Sequence, residues 1–105
     1  MRKIIALILG LGICSFVFIA SAEKESAGEA AYNEHCAACH PGGGNIIAPA
    51  KTLQKKDLDR NGLKTPEDII KIIRNPGPGM TAFDKEVIPD EEARDIAAYV
   101  LRTFK

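Results

Sequence analysis

The sequence predicts a small all-α domain, and three observations carry that expectation. Apolar residues recur at helical spacing, most clearly at Ala93, Ile96, Ala97, Val100, Leu101 and Phe104. No run alternates with period two for long, and the helical stretches are bounded by cap and stop residues. The size agrees: 105 residues, 46% apolar and 27% charged, suit one small domain. Fourteen basic against 14 acidic side chains exclude a nucleic-acid binder by charge, and the apolar content excludes a disordered tail.

The first twenty-two residues stand apart. Arg2 and Lys3 precede an apolar run from Ile4 to Ala20 that closes on Ala20-Ser21-Ala22, the pattern of a secretory signal peptide. Cleavage after Ala22 leaves residues 23–105, with 12 basic and 14 acidic groups, in a periplasmic or lumen-like compartment. Two competing readings are an uncleaved anchor and a lipidated Cys14, and membrane association follows only from one of these. Against lipidation, Ile13 stands where a small residue is wanted, and the apolar run continues beyond Cys14. Signal removal leaves Cys36 and Cys39 as the only cysteines and Met80 as the only methionine. An exported domain this small usually needs a staple, and a disulfide across one helical turn closes too short a loop to serve.

Along the mature chain, Ser26-Ala27-Gly28-Glu29 has capping-box spacing and predicts a helix over 27–38. Gly and Pro make 41–50 a loop. A short helix follows over 53–60, stopped by Asn61-Gly62. Thr65 as cap, Pro66 at the first helical position and two acids in the first turn start a third helix, which runs to about Arg74. Asn75-Pro76-Gly77-Pro78-Gly79 bars any helix, and the last one opens at Pro89-Asp90-Glu91-Glu92. The acids there, with Asp95, complement the helix dipole. The stretches 41–52 and 75–89 together make about a third of the mature chain, more loop than a compact domain ordinarily carries. They make sense if they wrap something apolar that is not protein.

Cys36-Ala37-Ala38-Cys39-His40 is the C-x-x-C-H pattern of covalent c-type haem attachment. Two thiols three residues apart near a helix end face one side and can each add to a vinyl group of one porphyrin, which puts His40 under the iron. A structural zinc site would have to crowd Cys36, Cys39, His40 and His35 together, unlike the usual separated ligand pairs. A thioredoxin-like dithiol wants a βαβ context that this chain lacks. For the second axial position, His35 is tethered one residue before a thioether cysteine and cannot reach the far face, and a lysine would have to be deprotonated. Met80 follows a stiff Pro/Gly segment able to drape across that face. Its alternative is a core gap-filler; its place on a loop rather than on a helix stripe favours ligation. A sulfur ligand favours ferrous iron and raises the potential.

Taken together, Gly28-x-x-x-Tyr32, Cys36-Ala37-Ala38-Cys39-His40, Gly43-Gly44-Asn45, Pro49-x-Lys51-Thr52-Leu53, Met80-x-Ala82-Phe83 and Ala97-Ala98-Tyr99-Val100-Leu101 resemble the class I c-type cytochromes, most of all the small monohaem cytochrome c6 group. The resemblance implies about four short helices and Gly/Pro-rich loops wrapped around one haem. It also implies a crossing of the first and last helices at Gly28, with Tyr32 and Tyr99 packed there. By the same resemblance Pro49 offers its carbonyl to the His40 Nδ1 proton, and Asn45 and Lys51 belong to the haem surround, Lys51 near a propionate or simply in solvent. Thr81 departs from the group's usual proline. Pro89 departs from its usual serine cap, which leaves Asp90 as the expected cap. The function implied is that of an electron carrier, not an enzyme, with no small-molecule substrate. It would meet redox proteins in weak, transient encounters at an edge flanked by Ala37, Ala38 and Gly42 to Gly44. The competing function is a peroxidase-like catalyst or small-gas sensor after Met80 dissociates. A peroxidase needs a distal acid/base, and His35 is on the wrong side for it.

Overall fold

The computed structural model describes the backbone from residue 15 and side chains from residue 22; most of the expected leader, with Cys14, lies outside the described residues. The elements are α1 (Ser15–His35), a 3-10 turn (Pro41–Gly43), α2 (Lys55–Arg60), α3 (Pro66–Arg74) and α4 (Asp90–Thr103), with no strand among the described residues.

Helix α1 begins upstream of the expected start. Ser26 lies inside it, because the backbone before it is already helical and supplies the i−4 carbonyls that a capping side chain would otherwise replace. It ends at His35, three residues before the expected end. Cys36 N and Ala37 N both turn back to the Tyr32 carbonyl, at 2.8 and 2.9 Å, which tightens the chain out of the helix. The crossing with α4 requires Gly28: a Cβ there would stand 2.5 Å from the Asp95 carbonyl oxygen. Tyr32 and Tyr99 pack beside it with ring centroids 5.2 Å apart.

Helix α2 starts at Lys55, two residues late. Leu53 N–H is committed to the Gly43 carbonyl at 2.8 Å and Lys55 N–H to the Phe104 carbonyl at 3.0 Å, so tertiary pairing takes donors that a longer helix would have left free. Within it, the buried Asp57 carboxylate accepts from the Thr52 hydroxyl, which, ahead of the nearby Arg60 and Lys56, holds it below the ordinary carboxylate range. Helix α3 starts as expected, and its cap is a full capping box: Asp68 N–H donates to Thr65 Oγ1 at 3.2 Å, and Thr65 N–H donates to Asp68 Oδ2 at 3.1 Å. At α4 the expectation of an Asp90 cap is corrected. Pro89 is the cap residue and makes no side-chain cap bond, while the Asp90 carboxylate turns to Arg74 at 2.8 Å and Lys85 at 3.4 Å. A guanidinium within reach outcompetes the helix's own amides for that carboxylate.

One core joins these helices. Ala31 and Tyr32 of α1, Ile69 and Ile73 of α3, and Ala93, Ile96, Ala97 and Val100 of α4 are buried together with Leu58 and Ile88. Ile88, on the loop before α4, is fully buried and anchors that loop.

Candidate functional site

The turn after α1 carries Cys36, Cys39 and His40. Cys36 is half-buried, and burial pushes its thiol up to about 11; Cys39 is exposed. His40 is 9% exposed, and its Nδ1 donates to the Gly44 carbonyl at 2.8 Å. This corrects the Pro49 assignment: Pro49 is exposed, and the 3-10 turn brings Gly44 under the ring before the chain reaches it. The tautomer is thereby set, leaving Nε2 free to bind a metal.

An aromatic group backs this turn. The Tyr32 hydroxyl donates to the His40 carbonyl and accepts from Gly43 N–H at 3.3 Å; burial, foremost, raises its pKa. Phe104 lies 5.4 Å from Tyr32 and 6.0 Å from Tyr99 between ring centroids. Gly43 is required here twice over: its φ is +80°, and a Cβ would meet the Phe104 ring at 2.5 Å.

Beyond the turn, Asn45 folds its own loop. Its Oδ1 accepts from Ile47 N and Ala48 N at 2.9 and 2.7 Å, and its Nδ2 donates to the Lys51 carbonyl at 2.9 Å. Lys51 is exposed and serves this loop through its backbone. The loop leaves Ile46 and Ile47 65% and 58% exposed, an unusual display for two adjacent isoleucines.

The Met80 loop meets that surface. Gly79 approaches Ile47 so closely that a Cβ would sit 3.3 Å from its Cγ2, and Met80 beside it is half-buried. Phe83 N–H donates to the Ile73 carbonyl at 2.9 Å, and its ring stands 5.7 Å from His35. Arg74 closes the arrangement, donating to the carbonyls of Phe83 at 3.1 Å and Ile88 at 2.7 Å and to the Asp90 carboxylate at 2.8 Å. Neither Arg74 nor the Gly44 carbonyl was found from sequence. An arginine ending a helix reads as a dipole partner, and no local pattern shows a side chain reaching residues 83–90.

The donor set discriminates between groups it could hold. His35 Nε2 faces Glu92 at 3.7 Å and Glu34 at 3.8 Å, away from a thiolate cluster, so the four crowded ligands of a zinc site are not assembled. Two thiols and an imidazole with a fixed tautomer on one turn, beside uncovered isoleucines, fit an apolar macrocycle held covalently and ligated through its iron.

Comparison with known proteins places the chain. Residues 23–100 match the family described as cytochrome c oxidase, cbb3-type, subunit III. Among solved structures, outer-membrane cytochrome F (OmcF) of Geobacter sulfurreducens superposes with TM-score 0.72 at 45% identity, covering 74% of this chain and 99% of that one. Cytochrome c6 of the diatom Phaeodactylum tricornutum superposes with TM-score 0.69 at 44% identity, covering 74% and 91%. The fold is thus that of the class I c-type cytochromes. Cytochrome c6 of Nostoc sp. is 40% identical over 105 residues, spanning 96% of this chain and 93% of its own. The chain belongs to the c-type cytochromes of the cytochrome c6 family. Like them it carries one covalently attached haem c with iron and is an electron carrier rather than an enzyme.

Proposed function

We propose that this cytochrome is an exported, periplasmic or lumenal single-electron shuttle whose haem is joined to Cys36 and Cys39 and ligated by His40 and Met80. The observation that carries the reading is the His40 ring, held through Nδ1 by Gly44 with Nε2 left for a metal; the Met80 loop's approach to Ile47, on the loop that follows His40, supports it. When bound, the haem supplies the ferric/ferrous couple. The chain's own residues do the rest: His40 presents Nε2, Met80 offers the thioether, and Asn45 and Lys51 shape the surround. The weakly covered edge near Ala37, Ala38, Ile46 and Ile47 supports brief contact with redox proteins.

Residues 22–27 of α1 are exposed and Gly28 is buried at the crossing with α4, so the contact that seats α1 lies downstream of the expected cleavage after Ala22. Amino-terminal sequencing of the exported protein should begin at Glu23; retention of residues 1–22 would make it an anchored relay.

The test of ligation is the visible spectrum. A weak long-wavelength charge-transfer band in the ferric protein supports Met80. High-spin ferric iron with ready carbon monoxide uptake in the ferrous form would instead point to catalysis or gas sensing.

A further inference from the structure

The segment 75–82 leaves α3 directly after Arg74 and returns to it at Phe83, forming a closed loop with Met80 inside. Two backbone groups of Phe83 tie its return. The N–H goes to the Ile73 carbonyl at 2.9 Å, and the carbonyl accepts from the Arg74 guanidinium at 3.1 Å. The same guanidinium reaches the Ile88 carbonyl at 2.7 Å and Asp90 at 2.8 Å, so a single side chain clasps the exit of the loop and the start of α4. Inside the loop, apart from the contact of Gly79 with Ile47, hydrogen bonding is weak. Its internal bond from Met80 N–H to the Gly77 carbonyl is long, at 3.5 Å, and Gly77 to Gly79 are exposed. A loop with weak internal bonding keeps its conformation through its closure points.

We infer that Arg74 is the positioning residue for the axial methionine: by clasping Phe83, Ile88 and Asp90 it holds the Met80 loop closed and sets how readily the sulfur gives up its place to another ligand. The inference rests on the ligation by Met80 proposed above. An incoming ligand must capture the open loop, so its apparent affinity rises in proportion to the open population. Charge-assisted hydrogen bonds are the strong ones, and a planar guanidinium reaches the three acceptors from two nitrogens in a fixed fork, where an ammonium would have to serve them from one.

The experiment titrates the ferric holoprotein with imidazole, following loss of the charge-transfer band, with denaturant unfolding measured in parallel. Arg74→Gln should raise imidazole affinity about tenfold, a change equivalent to losing about one charge-assisted hydrogen bond. Arg74→Lys should fall between it and the wild type, and Asp90→Asn, which removes the charge from one of the three acceptors, should show the same sign should Arg74→Gln fail to retain haem. Arg94→Gln, whose guanidinium pairs with exposed Glu67 at 3.0 Å away from the loop, should leave imidazole affinity unchanged. Lower stability with imidazole affinity at the wild-type value in Arg74→Gln, Arg74→Lys and Asp90→Asn would overturn the inference and leave Arg74 a structural residue. A wild-type protein without the band would overturn the ligation reading as well, so the two failures are distinguishable.

Discussion

The Cys36–Gly44 turn and the Met80 loop are built on opposite principles. The turn is short and densely supported: His40 is answered by Gly44, four residues on, and the turn is backed by the Tyr32 hydroxyl and the Phe104 ring. The Met80 loop is stiff in sequence but sparsely bonded within, and its place depends on Arg74, Ile88 and contact with Ile47. Dense bonding suits a permanent, covalent attachment. Closure at the loop's two ends suits the axial role proposed for Met80, a ligand held against exchange.

That contrast orders the expected effects of substitution. The largest should come from replacing both Cys36 and Cys39 by Ala: no haem should survive denaturing electrophoresis, and little holoprotein should accumulate. Haem persisting through that gel would break the assignment of the turn. Met80→Ala should do the reverse, leaving haem attached but abolishing the charge-transfer band and opening the ferrous iron to carbon monoxide. A variant spectrum identical to the wild type would remove Met80 from the site.

Smaller changes sharpen the comparison. Gly43→Ala meets both a positive φ and the Phe104 ring, so it should cost about 1–3 kcal/mol in denaturant unfolding, as overpacking does. Thr65→Ala deletes the capping box of α3 upstream of the Met80 loop and should cost about 1 kcal/mol, seen as a shift in the unfolding midpoint. The smallest effect is acid sensitivity. The Asp68 carboxylate lies below its ordinary range because the Lys64 and Thr65 amides donate to it. Its contribution is therefore complete above the unfolded pKa, about 4, and lost as pH falls through the lower folded value. Asp68→Asn should be less stable than the wild type at pH 7, with the difference closing in acid; a constant difference between pH 7 and pH 2 would contradict this origin.

How legible the molecule was depends on the distance over which each feature is decided. The α3 start was readable because Thr65, Pro66 and Asp68 satisfy one another within a single turn. Gly28 and Tyr32 were readable only through resemblance, since a mid-helix glycine has no local reason; the structure supplies it in the Asp95 carbonyl. Two local readings lost to longer contacts: Leu53 left α2 for Gly43, and Asp90 left its helix end for Arg74. Ser26 lost its cap to the helical turn just before it.

The sequence by itself determined the all-helical class, the Cys36-Ala37-Ala38-Cys39-His40 chemistry and the singling out of Met80, because spacing, capping and residue scarcity act within a few positions of chain. Only the tertiary structure decided which carbonyl orients His40, what clasps the Met80 loop and which donors the short helices give up. The last two are competitions among hydrogen-bond partners far apart in sequence, and the first turns on how tightly the chain after His40 folds back. Each buried donor or charged group takes the best acceptor that packing brings within reach.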